Sequence, residues 1–232
     1  MSAPTFVLVH GGWGGAWCWR DLGHELDALT VAWTALDLPS AHDPSGERNL
    51  DDDADALVDH ARDLGPVVLV GHSYGGAVVA QAASRLPGLE SLVFVAAYVT
   101  VPGESVTECA RRAPARTVLD HAIVTDGPLL RLDEDLAGDA LYGRCEDHVR
   151  TWAVSMLGTQ TKASFRAARH GSDPSVPRRY VKCLDDESVH AVVQDEMAGR
   201  CDEYAEIDAD HSPFLSAPAR LARVITVTDS GV

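Results

Sequence analysis

The chain carries Gly71-His72-Ser73-Tyr74-Gly75-Gly76 directly after the apolar run Val67-Val68-Leu69-Val70. A G-x-S-x-G spelling at the end of a strand has a physical reason. Presenting a hydroxyl at the tip of a sharp strand-to-helix turn strains the backbone at the nucleophile, and the residues two positions away must lack side chains. Gly71 and Gly75 meet that need around Ser73. The Ala/Val-rich helix that follows directs its first amides toward any negative charge forming beside Ser73. The chemistry indicated is nucleophilic attack by a serine.

A hydroxyl of ordinary acidity needs a base, and the base needs an orienting carboxylate. On a sheet with this turn the chain order is serine, acid, histidine, which prunes ten histidines quickly. The acid is expected at the end of a strand, and 180–184 followed by Asp185-Asp186 fits. Beyond it lie His190, too close to the acid and expected at the start of a helix, and His211, just after the last strand. His211 is therefore the expected base. The residues alone leave Asp185 and Asp186 open as the acid. Asp208 and Asp210 flank His211 too closely in sequence to approach its far ring nitrogen, and both are read as solvated loop carboxylates.

A second element is His10-Gly11-Gly12-Trp13-Gly14-Gly15 after the first strand. Stabilising a tetrahedral oxyanion takes two backbone N–H groups, one after the nucleophile and one from a nearby Gly-rich loop. Tyr74 is expected to supply the first and Gly12 the second. The loop has neither G-x-G-x-x-G opening a helix nor a Walker lysine, so nucleotide phosphates are not its ligand. His10 reads as a structural histidine that fixes the loop. Trp13, Tyr98 and Trp152 are candidate substrate-binding residues, and Met156 could join them, although side chains of these types at helical spacing more often fill a core.

These groups must be held by a scaffold. Short β-branched runs at 6–10, 31–36, 67–71, 92–96, 180–184 and 204–207 alternate with helical stretches at 17–28, 52–64, 75–85 and 217–224. That alternation predicts an α/β fold: a mostly parallel central sheet of about six strands flanked by helices. Asp51-Asp52-Asp53 fits a helix first turn, where carboxylates complement the dipole, and reads as a solvated cap and no metal site. The alternation fails over 102–177, which has helical patterns such as 146–157. A stretch of that size is too long for a simple connection. It leaves from the carboxyl end of a strand, where ligand crevices lie, and is expected to form a helical lid inserted before the last two strands. Residues 1–232 are read as one domain.

The 232 residues include 19 Lys+Arg against 35 Asp+Glu, a formal charge of −16, with 46% apolar and 23% charged residues. The composition is globular, and the acid excess argues against a nucleic-acid partner. Five scattered cysteines form no C-x-x-C pair, which favours a reducing compartment and excludes a zinc pattern. The longest apolar run, 92–99, is far shorter than the ~20 residues of a membrane span. The expectation is a cytoplasmic protein with no metal, no membrane partner, and at most a second copy of itself as a homodimer.

The segments Phe6-Val7-Leu8-Val9-His10-Gly11-Gly12-Trp13-Gly14-Gly15-Ala16-Trp17 and Gly71-His72-Ser73-Tyr74-Gly75-Gly76 resemble the α/β-hydrolase superfamily. The nearer resemblance is to the branch of plant methyl-ester esterases and hydroxynitrile lyases with their bacterial relatives. It extends to 92–105, 141–145, 179–189 and 208–214 and is weakest across 106–140. In that branch the acid directly precedes the polar residue opening the next helix, so the resemblance implies Asp186. The lyases place a threonine after the first-strand histidine and a lysine after the catalytic one. Here those positions hold Gly11 and Ser212, so the resemblance implies an esterase. No cofactor is implied, and the partner implied is a small-molecule ester. The same triad also serves lactones, thioesters or lyase- and cyclase-like steps on secondary-metabolite intermediates, and related scaffolds act as non-catalytic receptors.

Overall fold

A computed structural model describes residues 3–227. Its strands are β1 (Thr5–Val9), β2 (Trp33–Leu36), β3 (Val67–His72), β4 (Leu89–Val95), β5 (Ile123–Asp126), β6 (Leu129–Leu132), β7 (Gln160–Thr161), β8 (Arg178–Cys183) and β9 (Glu203–Ile207). Six of them form one sheet in the order β2-β1-β3-β4-β8-β9, every pair parallel. These six coincide with the six runs read from sequence.

The unbroken apolar character of the inner strands follows from burial on both faces. Val7, Val9, Leu69 and Phe94 belong to one core cluster, while Leu8, Val68, Val70, Val93 and Val95 belong to another. Successive side chains on a strand point to opposite faces, so a strand covered on both sides has no polar position to show. The first core is completed by α2 (Leu50–Ala61), α3 (Gly75–Ala82) and α9 (Ala191–Ala198). The second is completed by α1 (Arg20–Ala28) and by α10 (Pro213–Ser216) and α11 (Pro218–Thr226).

Chain order reverses at β1: β2 lies to one side of it and β3 to the other. The carboxyl ends of β1 and β3 therefore open side by side at the switch point, where parallel sheets bind ligands.

The excursion between β4 and β8 holds helices, as expected: α4 (Val106–Ala110), α5 (Val118–Ala122), α6 (Glu134–Tyr142), α7 (Asp147–Ser155) and α8 (Lys162–Arg166). It also holds a feature the sequence reading lacked, the antiparallel sheet β5-β6-β7. The turn signal was present, since Gly127, with φ of +54°, lies in the short connection after Asp126. However, β5 is mostly exposed and β7 is two residues long, so neither produces a hydrophobic period. Buried Arg169 stitches the two ends of the excursion. Its Nη1 donates to the Thr100 carbonyl at 2.9 Å, its Nη2 pairs with Asp173 at 2.6 Å, and its backbone N–H donates to the Glu104 carbonyl at 2.8 Å. Among the described residues, no helix is long and apolar enough to cross a membrane.

Candidate active site

Ser73 sits between β3 and α3 with φ of +51°, a left-handed conformation that costs a side-chain-bearing residue on the order of 1–3 kcal/mol. The strain is held in place by neighbours. The Ser73 N–H donates to the Val95 carbonyl at 3.2 Å, and its carbonyl accepts from Tyr98 and Gly76, both at 3.1 Å. The flanking glycines are required by close approach. A Cβ at Gly71 would lie 2.6 Å from the Gly75 carbonyl oxygen, and one at Gly75 would lie 2.4 Å from that of Val9. The turn thus packs directly on the end of β1.

His211 follows β9 and Asp186 follows β8. His211 Nδ1 lies 2.9 Å from Asp186 Oδ2, with both side chains 1% exposed. The other carboxylate oxygen accepts from the Ser188 and Val189 amides at 2.7 and 2.8 Å, so its orientation is fixed from both ends. The neighbouring Asp185 points away and pairs with Arg144 at 3.2 Å. Ser73 and His211 line the same small cavity with Gly11, Gly12, Trp13 and His72, about 20 Å³ in volume, room for about one water. Among the described residues, neither the Gly12 nor the Tyr74 amide N–H donates to another protein group.

Two buried histidines frame this cavity, both held neutral. Burial pushes His10 down to about 4, and the Leu38 N–H donates to its Nε2 at 3.0 Å. The ring proton is therefore on Nδ1, which donates to the Gly11 carbonyl at 2.7 Å. His10 is in the structural position expected of it, bracing the glycine loop. His72, which the sequence reading did not single out, is lowered by burial first and by the neighbouring His211 second. Its Nε2–H donates to the His211 carbonyl at 2.8 Å, and the two rings lie 4.5 Å apart. A Cβ on Gly11 would come within 2.8 Å of His72 Nδ1 and 2.9 Å of Ser73 Cβ, so the site has no space for a side chain there.

A second cavity of about 510 Å³ meets the first at Ser73 and Trp13, with Tyr98, Leu119, Leu130 and Phe165 in its walls. Trp13 and Tyr98 therefore line a cavity that opens beside Ser73. Trp152 does not. It packs edge-on against Trp17 at 5.3 Å under the Arg20 guanidinium, 4.1 Å from its ring, as a clasp between α7 and the start of α1. Met156, 38% exposed, lines neither cavity.

Two carboxylates read as solvated are buried. Asp210 accepts from the Arg144 and Ser212 amides at 2.9 and 3.1 Å and from Ser216 Oγ at 2.6 Å. It joins the excursion to the His211 loop, while Asp208 stays exposed against Arg144. Asp53 is also fully buried and accepts from Ser40 and Tyr74. The signal was in the spacing, because Leu50, Asp53, Ala54, Leu57 and Ala61 form the inner stripe of α2. Only Asp51 and Asp52 of that run act at the solvated first turn.

The sequence profile of the alpha/beta hydrolase family matches residues 6–224. The chain belongs to that family. Polyneuridine aldehyde esterase of Rauvolfia serpentina is 30% identical over 258 residues, covering 97% of this chain and 96% of that protein. The alpha/beta hydrolase nvfD of Aspergillus novofumigatus is 28% identical, covering 97% and 96%. The crystal structure of a pyrethroid hydrolase from Sphingobium faniae superposes with a TM-score of 0.83 at 24% identity, over 97% of this chain and 96% of that one, a likeness of fold. A relative named as an esterase therefore matches 97% of this alpha/beta hydrolase.

Proposed function

We propose that this alpha/beta hydrolase cleaves a small-molecule carboxylic ester through an acyl-enzyme, with Ser73, His211 and Asp186 as its triad. The observation that carries the reading is a strained serine and a carboxylate-bound imidazole opening on one cavity. With Nδ1–H of His211 donating a hydrogen bond to Asp186, the Nε2 lone pair is free to take the Ser73 proton as Oγ bonds to the ester carbon. The carbonyl oxygen becomes an oxyanion beside the Gly12 and Tyr74 amides, and its collapse expels the alcohol, protonated by His211. Water, activated by the same imidazole, then attacks the acyl-enzyme and restores Ser73.

The larger cavity has the size of a drug-like ligand site, and its Trp13, Tyr98, Leu130 and Phe165 walls suit an aromatic or branched apolar group. Residues 102–177 act in this reading as a lid that contributes Leu130 and Phe165 to those walls. A fluorophosphonate probe should label Ser73, and Ser73→Ala should abolish both labelling and turnover of aryl and methyl esters. Wild-type-like turnover by that variant would end the assignment.

A further inference from the structure

Beneath the site runs a chain of buried polar groups whose hydrogen-bond directions are all determined. The Trp13 amide, which can only donate, reaches Gln160 Oε1 at 3.3 Å. The two protons of Gln160 Nε2 go to Ser40 Oγ and Ser164 Oγ, both at 2.7 Å. Ser164 passes its own proton to the Thr161 carbonyl at 2.9 Å. Ser40 must then donate to Asp53 Oδ2, at 2.5 Å, where the Tyr74 hydroxyl also donates at 2.5 Å; the Ser40 amide takes the other oxygen at 2.8 Å. Three donors converge on one carboxylate, so the direction of the whole chain requires Asp53 to accept. None of these partners is cationic. A buried carboxylate without a cation is a costly way to pack a helix where a leucine would serve.

We propose that Asp53 is a positioning residue for the oxyanion site. It anchors the side chain of Tyr74, whose backbone amide forms one half of that site. Through Ser40 and Gln160 it also holds the Trp13 amide, and with it the Gly11–Gly12 loop that forms the other half. Because Gln160 lies in β7, within the excursion over the site, seating of that excursion and spacing of the two amides are coupled. Tyr74 extends the arrangement sideways, its ring packing on Phe165 at 5.1 Å and Phe165 packing on Trp13 at 5.4 Å.

The inference rests on the ester-hydrolase reading, and the test separates the two. Tyr74→Phe removes one hydroxyl, and Asp53→Asn replaces the accepting oxygen with a donor. Each is assayed for kcat and KM on an aryl ester, for thermal midpoint, and for affinity to an aryl trifluoromethyl ketone. Ser73 Oγ adds to the carbonyl carbon of that ketone while its proton passes to His211, leaving the negative charge on the oxygen between the two amides. Losing an oxyanion donor outright costs roughly 10²–10³-fold. Misplacing one should lower kcat by about tenfold, leave KM within about twofold, and weaken the ketone by the same factor as kcat. If Asp53→Asn fails to fold, Tyr74→Phe carries the test alone. Variants with wild-type kcat, or a fall in kcat with unchanged ketone affinity, overturn the proposal. An unlabelled Ser73 in the wild-type protein overturns the hydrolase reading along with it.

Discussion

Asp186 keeps its carboxylate buried against His211, whereas Asp185, one residue earlier, is 59% exposed and paired with Arg144. The strand end explains the difference. The Asp185 amide is tied to the Ala209 carbonyl at 3.1 Å, which faces its side chain outward and leaves Asp186 to turn back over the Ser188 and Val189 amides. If the pair orients the base, Asp186→Asn should cut kcat by about 10⁴-fold, because an amide in that place favours the wrong imidazole tautomer. Asp185→Asn, which loses only an exposed ion pair, should stay within about twofold. Steady-state kinetics of both variants decide the matter, and the opposite ranking would move the role to Asp185.

At the scale of elements, the excursion has two jobs carried by different aromatic residues. Trp152 on α7 is occupied by Trp17 and Arg20, so it fastens the excursion to α1. Phe165 on α8 stands in the wall of the large cavity, against Trp13 and Tyr74. Trp152→Ala is expected to lower the thermal midpoint, by about 1–3 kcal/mol of lost packing, with KM for an apolar ester unchanged. Phe165→Ala should raise KM for that ester several-fold. Melting curves set beside KM values test the division of labour; a Trp152 variant with altered KM and unaltered melting would reverse it.

Across the whole molecule, buried neutral histidines make stability depend on acidity. His10 is depressed to about 4 by burial, and His72 is lowered well below its ordinary value. The unfolded chain takes up these protons as pH falls through 6.5 while the folded chain does not, so stability must drop on acidification. From pH 6.5 to 4 the His10 contribution alone is about 3 kcal/mol. Asp53, raised by burial, acts in the opposite sense near the lower end of that window. Burial would raise Glu104, but hydrogen bonds from Arg200 and Arg112 outweigh it and hold Glu104 at about 2. Its stabilisation therefore persists to lower pH and is lost between 4.5 and about 2. Denaturant titrations at stepped pH should give an unfolding free energy that declines steadily below 6.5; a flat profile from 6.5 to 4 would contradict this account.

The elements with strong local signals were legible before any coordinates. Six apolar runs matched the six sheet strands, and G-x-S-x-G marked the turn, because steric demands at that turn act within a few residues. Chain order pointed to His211 and the resemblance to Asp186, and the two side chains are paired in the fold. Packing decided the rest. Whether Asp53 and Asp210 were solvated, whether Trp152 faced a cavity or Arg20, and that the two residues of β7 would form a strand all depended on partners far along the chain. Gln160 and Trp13 stand 147 positions apart. Sequence fixes which groups a residue carries and what its nearest neighbours allow. Burial and hydrogen-bond partnership belong to pairs brought together only when the excursion folds back over the sheet, so the floor of the site, unlike the serine turn between Gly71 and Gly75, is a property of the tertiary structure.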